Sequence, residues 1–291
     1  MSSMTIGTAR SVARARTITA GFLVVLGLLY VVVLAIYNPG GSVSSTTEPT
    51  ADADVMLEID VLTVDPSAYV STVRMRVVDM NEVLVDENFR TRDELRVGVW
   101  SADGPEEITF PAGSAVGRIE ATVGMSGDFD GYPFDSYVSS FNVDVLRVGA
   151  DGSSEPLTVS AAVTEGSSGW RVEAMSRTES AGFAHVELDI ARAFSSQFFA
   201  LLTVAMGLLI ATFSLAVGIA VLSGRHFVDS SIVGWGAGLI FSLLALRYYM
   251  PGDPPVGVSL DLYAYIWITL MAFVGASMTV LMWLRRPRPE E

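Results

Sequence analysis

FFALLTVAMGLLIATFSLAVGIAVL, residues 198–222, decides how this chain is built. Its 25 residues carry no charge. At about 1.5 Å of rise per residue the run is longer than the roughly 30 Å hydrocarbon core of a bilayer, so it crosses with some tilt. The second span is therefore set at 196–222, and the rest of the chain is read outward from it.

Downstream, two more apolar runs return through the membrane, at 230–250 and 262–284. Ser223-Gly224-Arg225-His226 is the inside turn between the first pair, and Pro251-Gly252-Asp253-Pro254-Pro255 is a stiff outer loop. Tyr263, Tyr265, Trp267 and Trp283 stand at the ends of the last run, where amphipathic rings favour the headgroup level. The tail, 285–291, opens with Arg285-Arg286-Pro287-Arg288.

Upstream, residues 17–37, TITAGFLVVLGLLYVVVLAIY, form another uncharged run behind a short segment, 1–16, that carries Arg10, Arg14 and Arg16. A cleaved secretory signal and an uncleaved anchor compete here. The run outlasts an ordinary signal core and no A-x-A site follows it directly, so it is taken as a first transmembrane helix. Arginine flanks on the inner side then place both termini in the cytoplasm of a multi-pass inner-membrane protein with four spans.

Composition agrees. The mean hydropathy of +0.46 is high for a soluble chain. Charge is concentrated in 38–192, which carries 27 acidic and 10 basic residues. That block disfavours nucleic acid and anionic headgroups as its ligands. Cysteine is absent, which removes disulfides, thiolate nucleophiles and thiolate metal sites. All 18 basic residues are arginine.

Residues 38–53, NPGGSVSSTTEPTADA, read as a linker of Pro, Gly, Ser and Thr. Residues 54–192 read as an extracytoplasmic β-domain. Apolar residues alternate with polar ones at 55–64, 69–78, 95–100, 117–125, 136–148, 157–164, 169–175 and 183–190, with Asp103-Gly104-Pro105 and Asp151-Gly152 as turns. Short strands without intervening helical periodicity predict an antiparallel β-sandwich. The expected fold class is thus membrane α + β: one helix, the sandwich, then a three-helix bundle.

Three groups of residues stand out. Gly127 is followed by DFDGYPFDSY, in which Tyr132-Pro133-Phe134-Asp135 cannot be a central strand because proline lacks the ladder donor. One reading is a structural corner. Another makes Asp128, Asp130 and Asp135 oxygen ligands for calcium, although no closing Glu completes an EF-hand pattern. Arg247, at the end of the third span, has three roles open to it: a tie to Asp253 or Asp261 or to the β-domain, snorkelling to headgroups, or a place in a permeation path. Gly234 and Gly238 form a GxxxG pair, for packing within the bundle or against a partner's helix; Gly207, Ala211, Gly218, Gly275, Ala276 and Ser277 supply similar small surfaces.

Enzyme signals are sparse. The two histidines, His185 in a strand pattern and His226 on the cytoplasmic side, fall on opposite sides of the membrane, and no GxSxG, HExxH or phosphate-binding glycine loop occurs. The expectation is a non-catalytic protein without a cofactor.

The anchor, the YPFDSY-containing β-domain and three closing helices with Arg247 before PGDPPVG resemble the DUF4436 family. These are membrane proteins of mycobacteria and their relatives with no catalytic residues assigned to them. The resemblance runs over about 17–284 and is carried by Tyr132, Pro133, Phe134, Asp135, Arg247, Pro251, Gly252, Pro254, Pro255 and Gly257. Family members tend to have Arg-Asn before the loop, whereas Tyr248 follows Arg247 here. It implies an actinobacterial envelope. A weaker likeness links Tyr132 to Asp135 with the Phe/Tyr-Pro-x-Asp turn of pentameric ligand-gated channels.

The expected function is an accessory or assembly subunit of an envelope transport complex, with lipid import as its concrete form. Its partners are membrane lipid and other envelope membrane proteins, not nucleic acid. A channel-like homo-oligomer and an envelope-modifying enzyme using surface carboxylates are the alternatives.

Overall fold

The structure, a computed structural model, describes residues 42–48, 53–179, 182–224 and 230–285, together with Val24, Gly27, Leu28, Tyr30, Val31 and Ala35, whose backbone is helical. The first span therefore lies largely outside the described residues, as do 1–16, Arg225, His226 and the end of the tail.

Eleven strands make the β-domain. They are β1 (Ser42–Glu48), β2 (Val55–Asp65), β3 (Val70–Met80), β4 (Glu94–Ser101), β5 (Gly104–Phe110), β6 (Ile119–Gly127), β7 (Ser136–Val148), β8 (Ser154–Leu157), β9 (Val159–Glu165), β10 (Trp170–Thr178) and β11 (Ala184–Arg192). One sheet runs β1-β10-β11-β7-β4-β5, with β8 beside the far end of β7; the other runs β6-β3-β2-β9. Only Met125–Gly127 of β6 ladders onto β7, and this short seam joins the two.

Alternation built these strands. β7, β10 and β11 bury every second residue, and their inward side chains meet those of β2, β3 and β6 in one core. Leu57, Ile59, Met75, Leu95, Ile119, Tyr137, Phe141, Leu188 and Ile190 are fully buried there. Each such aliphatic side chain contributes roughly 1.5–3 kcal/mol relative to an exposed one. Gly104 (φ +123°) turns β4 into β5, and Gly152 (φ +80°) turns β7 toward β8, where the expected turns stand.

Two expectations are corrected. The domain is mixed rather than antiparallel: β1 lies parallel to β10, and β9 lies parallel to β2. Alternation reports which face a residue takes but says nothing about the partner or its direction. The run 157–164 illustrates this. It breaks at Thr158, whose N–H is held by Asp54 at 3.0 Å, so that β8 serves β7 and β9 crosses to β2. The linker 38–53 also contains structure, since its polar centre, Ser42–Glu48, adds the edge strand β1.

Three helices follow: α1 (Phe194–Leu222), α2 (Ser230–Tyr248) and α3 (Ile266–Leu284), the last preceded by a π turn, Asp261–Tyr265. All three are long and apolar enough to cross a membrane. Ala193 alone separates β11 from α1, and Ser196 Oγ donates to Gly169 O at 3.0 Å, so the domain passes into the first helix with no slack.

Small residues set the helix contacts. The buried side of α1 is Ser196, Ala200, Gly207, Ala211, Ser214 and Gly218, and that of α3 is Ile268, Ala272, Gly275 and Thr279. At the crossing, a Cβ on Gly218 would sit 2.6 Å from Gly275 O, and Ser214 Oγ donates to Ala272 O at 2.9 Å. Backbones that close gain dispersion contacts which lipid cannot supply.

Candidate functional site

The corner between β6 and β7 begins with Asp128, whose Oδ1 accepts from Asp130 N–H at 2.9 Å and starts a short 3-10 turn, Phe129–Gly131. The Tyr132–Pro133 peptide is cis. Phe134 projects outward, whereas Tyr132 and Asp135 are buried.

Arg192, the last residue of β11, reaches this corner from behind. Its Nε donates to Asp135 Oδ1 at 2.6 Å, with 2% and 0% of the two side chains exposed. Tyr137 Oη donates to the other oxygen, Oδ2, at 2.9 Å. The guanidinium carbon lies 4.6 Å from the centre of the Tyr132 ring and 4.4 Å from that of Trp170, so two aromatic faces cover the cation. Burial pushes the Tyr132 hydroxyl up to about 12, with the Arg192 charge opposing and Asp135 reinforcing the rise. Burial, together with donation to Asp135, also raises Tyr137.

The same residues hold the loop that joins α2 to α3. Tyr132 Oη donates to Pro251 O at 3.0 Å and Arg192 Nη1 to the same oxygen at 3.3 Å. Gly252 has φ +75°, and a Cβ there would overlap Arg192 Nη1. Tyr132 shares a buried cluster with Ala200 of α1, Met250, Val258 and Tyr265.

A second ion pair braces the loop from inside. Arg247 binds Asp261 through both oxygens, Nε to Oδ1 and Nη2 to Oδ2, the latter at 2.7 Å. Arg247 Nη2 also donates to Pro255 O at 3.0 Å and Pro254 O at 3.3 Å, and Gly257 N–H donates to Asp261 Oδ2 at 2.9 Å. Tyr265 Oη donates to Leu243 O at 3.2 Å and links the π turn to α2. Of the roles open to Arg247, the tie to Asp261 is the one formed.

Tyr132, Asp135, Pro251, Gly252, Pro254, Pro255 and Arg247 thus meet in one junction, with Pro133 buried next to Tyr132 in the chain. Of the three aspartates considered for calcium, Asp128 caps its own turn and both oxygens of Asp135 are engaged by Arg192 and Tyr137. Among the described residues no group of three or more His, Asp or Glu converges as metal ligands. His185 Nδ1 pairs with Asn142 Oδ1 at 2.7 Å on a lateral face of the domain.

The GxxxG pair is also relocated. Gly236, between the two, is buried against Ala276, whose Cβ would lie 3.4 Å from an added one. Gly234 and Gly238 are exposed, with open space before them among the described residues, so they take no part in the contacts of α2 with α1 or α3.

Sequence reading missed Arg192, Trp170 and Tyr137. A signal for Arg192 was there: it continues the inward series Ala184, Val186, Leu188, Ile190, and an arginine on an inward register needs a buried partner.

These features define a class: a β-domain clamped directly to a loop between helices able to span a bilayer. The chain belongs to the DUF4436 family, whose model, a domain of unknown function, matches residues 44–190. A second domain of unknown function, DUF8686, matches residues 192–286, so the two matches meet at Arg192, the residue that clamps the two parts together. No curated protein matches the chain.

Proposed function

We propose that this protein is a non-catalytic, multi-pass component of the inner membrane that serves as an accessory or assembly subunit of a larger envelope transport complex, lipid import being its concrete form. The β-domain stands outside, and both termini lie in the cytoplasm. The observation that carries the reading is a side of α2 that meets no other helix among the described residues. Gly234 and Gly238 face outward, and beside them an apolar furrow of about 460 Å³ runs between α2 and α3, lined by Val233, Ala237, Ile240, Phe273 and Val280. A furrow without charge, next to small residues, suits a partner's transmembrane helix. The clamp at Arg192 supports the same reading, because a rigid mount lets one protein engage partners at two levels.

The test is gentle solubilisation of native membranes and capture through a tag after Glu291. Co-purification of transport or assembly subunits at fixed stoichiometry is expected. A lone monomer in several mild detergents sinks the proposal.

One observation favours a second reading. The Tyr132–Asp135 corner rests on the loop that joins α2 to α3, so displacement of the β-domain would be passed to the helices. A channel-like homo-oligomer would use that coupling. It requires a symmetric particle with a water-lined axis, and a monomeric particle removes it.

A further inference from the structure

On the sheet face away from the core, β4, β7 and β11 place Trp100, Asn142 and His185 side by side: Trp100 is directly opposite Asn142, and Asn142 is opposite His185. Directly opposed residues share a face. The neighbouring row, Val99, Val143 and Ala184, points the other way and is buried. A glycine interrupts the outer surface at Gly98, opposite Asp144. The Asp144 carboxylate lies across this bare spot and accepts the Trp100 indole N–H. An added Cβ at Gly98 would overlap Asp144 Oδ1 and lie 2.9 Å from Trp100 Nε1. Glycine in a strand interior weakens the strand and marks a close approach; here the approach is between these two side chains.

The result is a trough of about 280 Å³, with Phe183 and Pro156 on its rim. Its chemistry is restricted. Trp100 remains 52% exposed, yet its only donor is already used, so what it offers a ligand is a ring face. Asn142 spends its oxygen on His185, and its amide N–H donors meet no partner among the described residues. Asp144 Oδ2 has no partner among the described residues. A ring face flanked by a planar amide and a planar carboxylate fits a ligand with an apolar C–H face and hydroxyl edges. The acidic domain around it, and Asp144 itself, repel anions.

We infer that the Trp100–Asn142–Asp144 trough is a binding site for a neutral saccharide segment, such as a glycan chain lying along the lateral face of the β-domain. Trp100 stacks on the sugar, Asp144 and Asn142 bind its hydroxyls, and Gly98 keeps the floor low. The inference is independent of the accessory-subunit reading, since capture of partners and titration of a glycan fail separately.

The experiment uses the full chain in a detergent without a sugar headgroup. Neutral oligosaccharides of glucose, mannose, galactose, arabinose and N-acetylglucosamine are titrated by calorimetry and by saturation-transfer NMR. At least one series should bind. Trp100→Ala and Gly98→Val should each weaken it by about tenfold or more, a change of about 1.4 kcal/mol, while Trp100→Phe keeps most of the affinity. Phe134→Ala, at the far corner, should change nothing. Should Trp100→Ala fail to fold, Asn142→Ala takes its place with the same expected loss. If no neutral oligosaccharide binds, or if binding survives both the Gly98→Val change and loss of the Trp100 or Asn142 side chain, the inference is overturned. Preference for an anionic saccharide or for a peptide at the same residues overturns it as well.

Discussion

Arg192 and Asp135, 57 residues apart in sequence, close on each other at 2.6 Å with both side chains out of solvent. The pair lies between the last strand of the β-domain and the corner that rests on the loop joining α2 to α3. Desolvating two charges costs several kcal/mol per ion, and the Coulomb gain repays it only when every remaining donor and acceptor is satisfied. Tyr137 and Pro251 go part of the way to that condition, and two aromatic rings cover the faces of the cation.

Removing one partner should therefore cost far more than removing both. Arg192→Met leaves Asp135 buried with only Tyr137, and a loss of about 3–5 kcal/mol is expected. Adding Asp135→Leu to Arg192→Met should recover a large part of it. Thermal unfolding of the detergent-solubilised chain measures both. A double variant no more stable than Arg192→Met would show that the pair does not act as a unit.

Gly252 should tolerate no side chain. Its φ of +75° is strained for an L-residue, and the space a Cβ would take belongs to Arg192 Nη1. Gly252→Ala is expected to destabilise by about 1–3 kcal/mol. Gly238→Ala, where space is open, should be neutral in stability. Paired melting curves decide it, and equal behaviour of the two variants would contradict the account.

How much of this was legible follows from what a pattern can carry. Strands β2, β3, β7, β10 and β11 could be read because one face of each is buried and the other wet, which imprints period two. β5 has no buried residue and β1 is SVSSTTE, so neither carries an apolar imprint; they are held at edges by backbone pairing. Of the junction, Tyr132-Pro133-Phe134-Asp135 and Arg247 could be found because proline and an arginine at a span end are locally odd. Arg192 could be placed only by asking which way β11 faces at its last residue. Gly236 was overlooked beside Gly234 because GxxxG names a spacing and no direction. Residues two apart on a helix point about 200° apart, so burying one exposes the other.

That difference of direction gives a prediction for the helices. Gly218→Leu or Gly275→Leu should separate α1 from α3, because each added Cβ meets the other helix's backbone. Loss of the folded bundle is expected in melting and in protease resistance. Gly234→Leu and Gly238→Leu should leave monomer stability within about 0.5 kcal/mol, as surface substitutions do, while abolishing co-purification of partners. If all four behave alike, the two glycine faces are not distinct.

The junction should also fail from the alkaline side. Burial holds Tyr132 protonated up to about 12, against an ordinary value near 10. Between those values the unfolded chain has released the proton and the folded one has not, so stability falls as pH rises through this window. It is fully present below pH 10. Tyr137, raised in the same direction, adds to the slope. Melting temperatures measured from pH 8 to 11.5 should drop above pH 10, and Tyr132→Phe should flatten that drop while lowering stability at neutral pH through loss of the bond to Pro251. An unchanged alkaline slope in Tyr132→Phe would remove Tyr132 as its source.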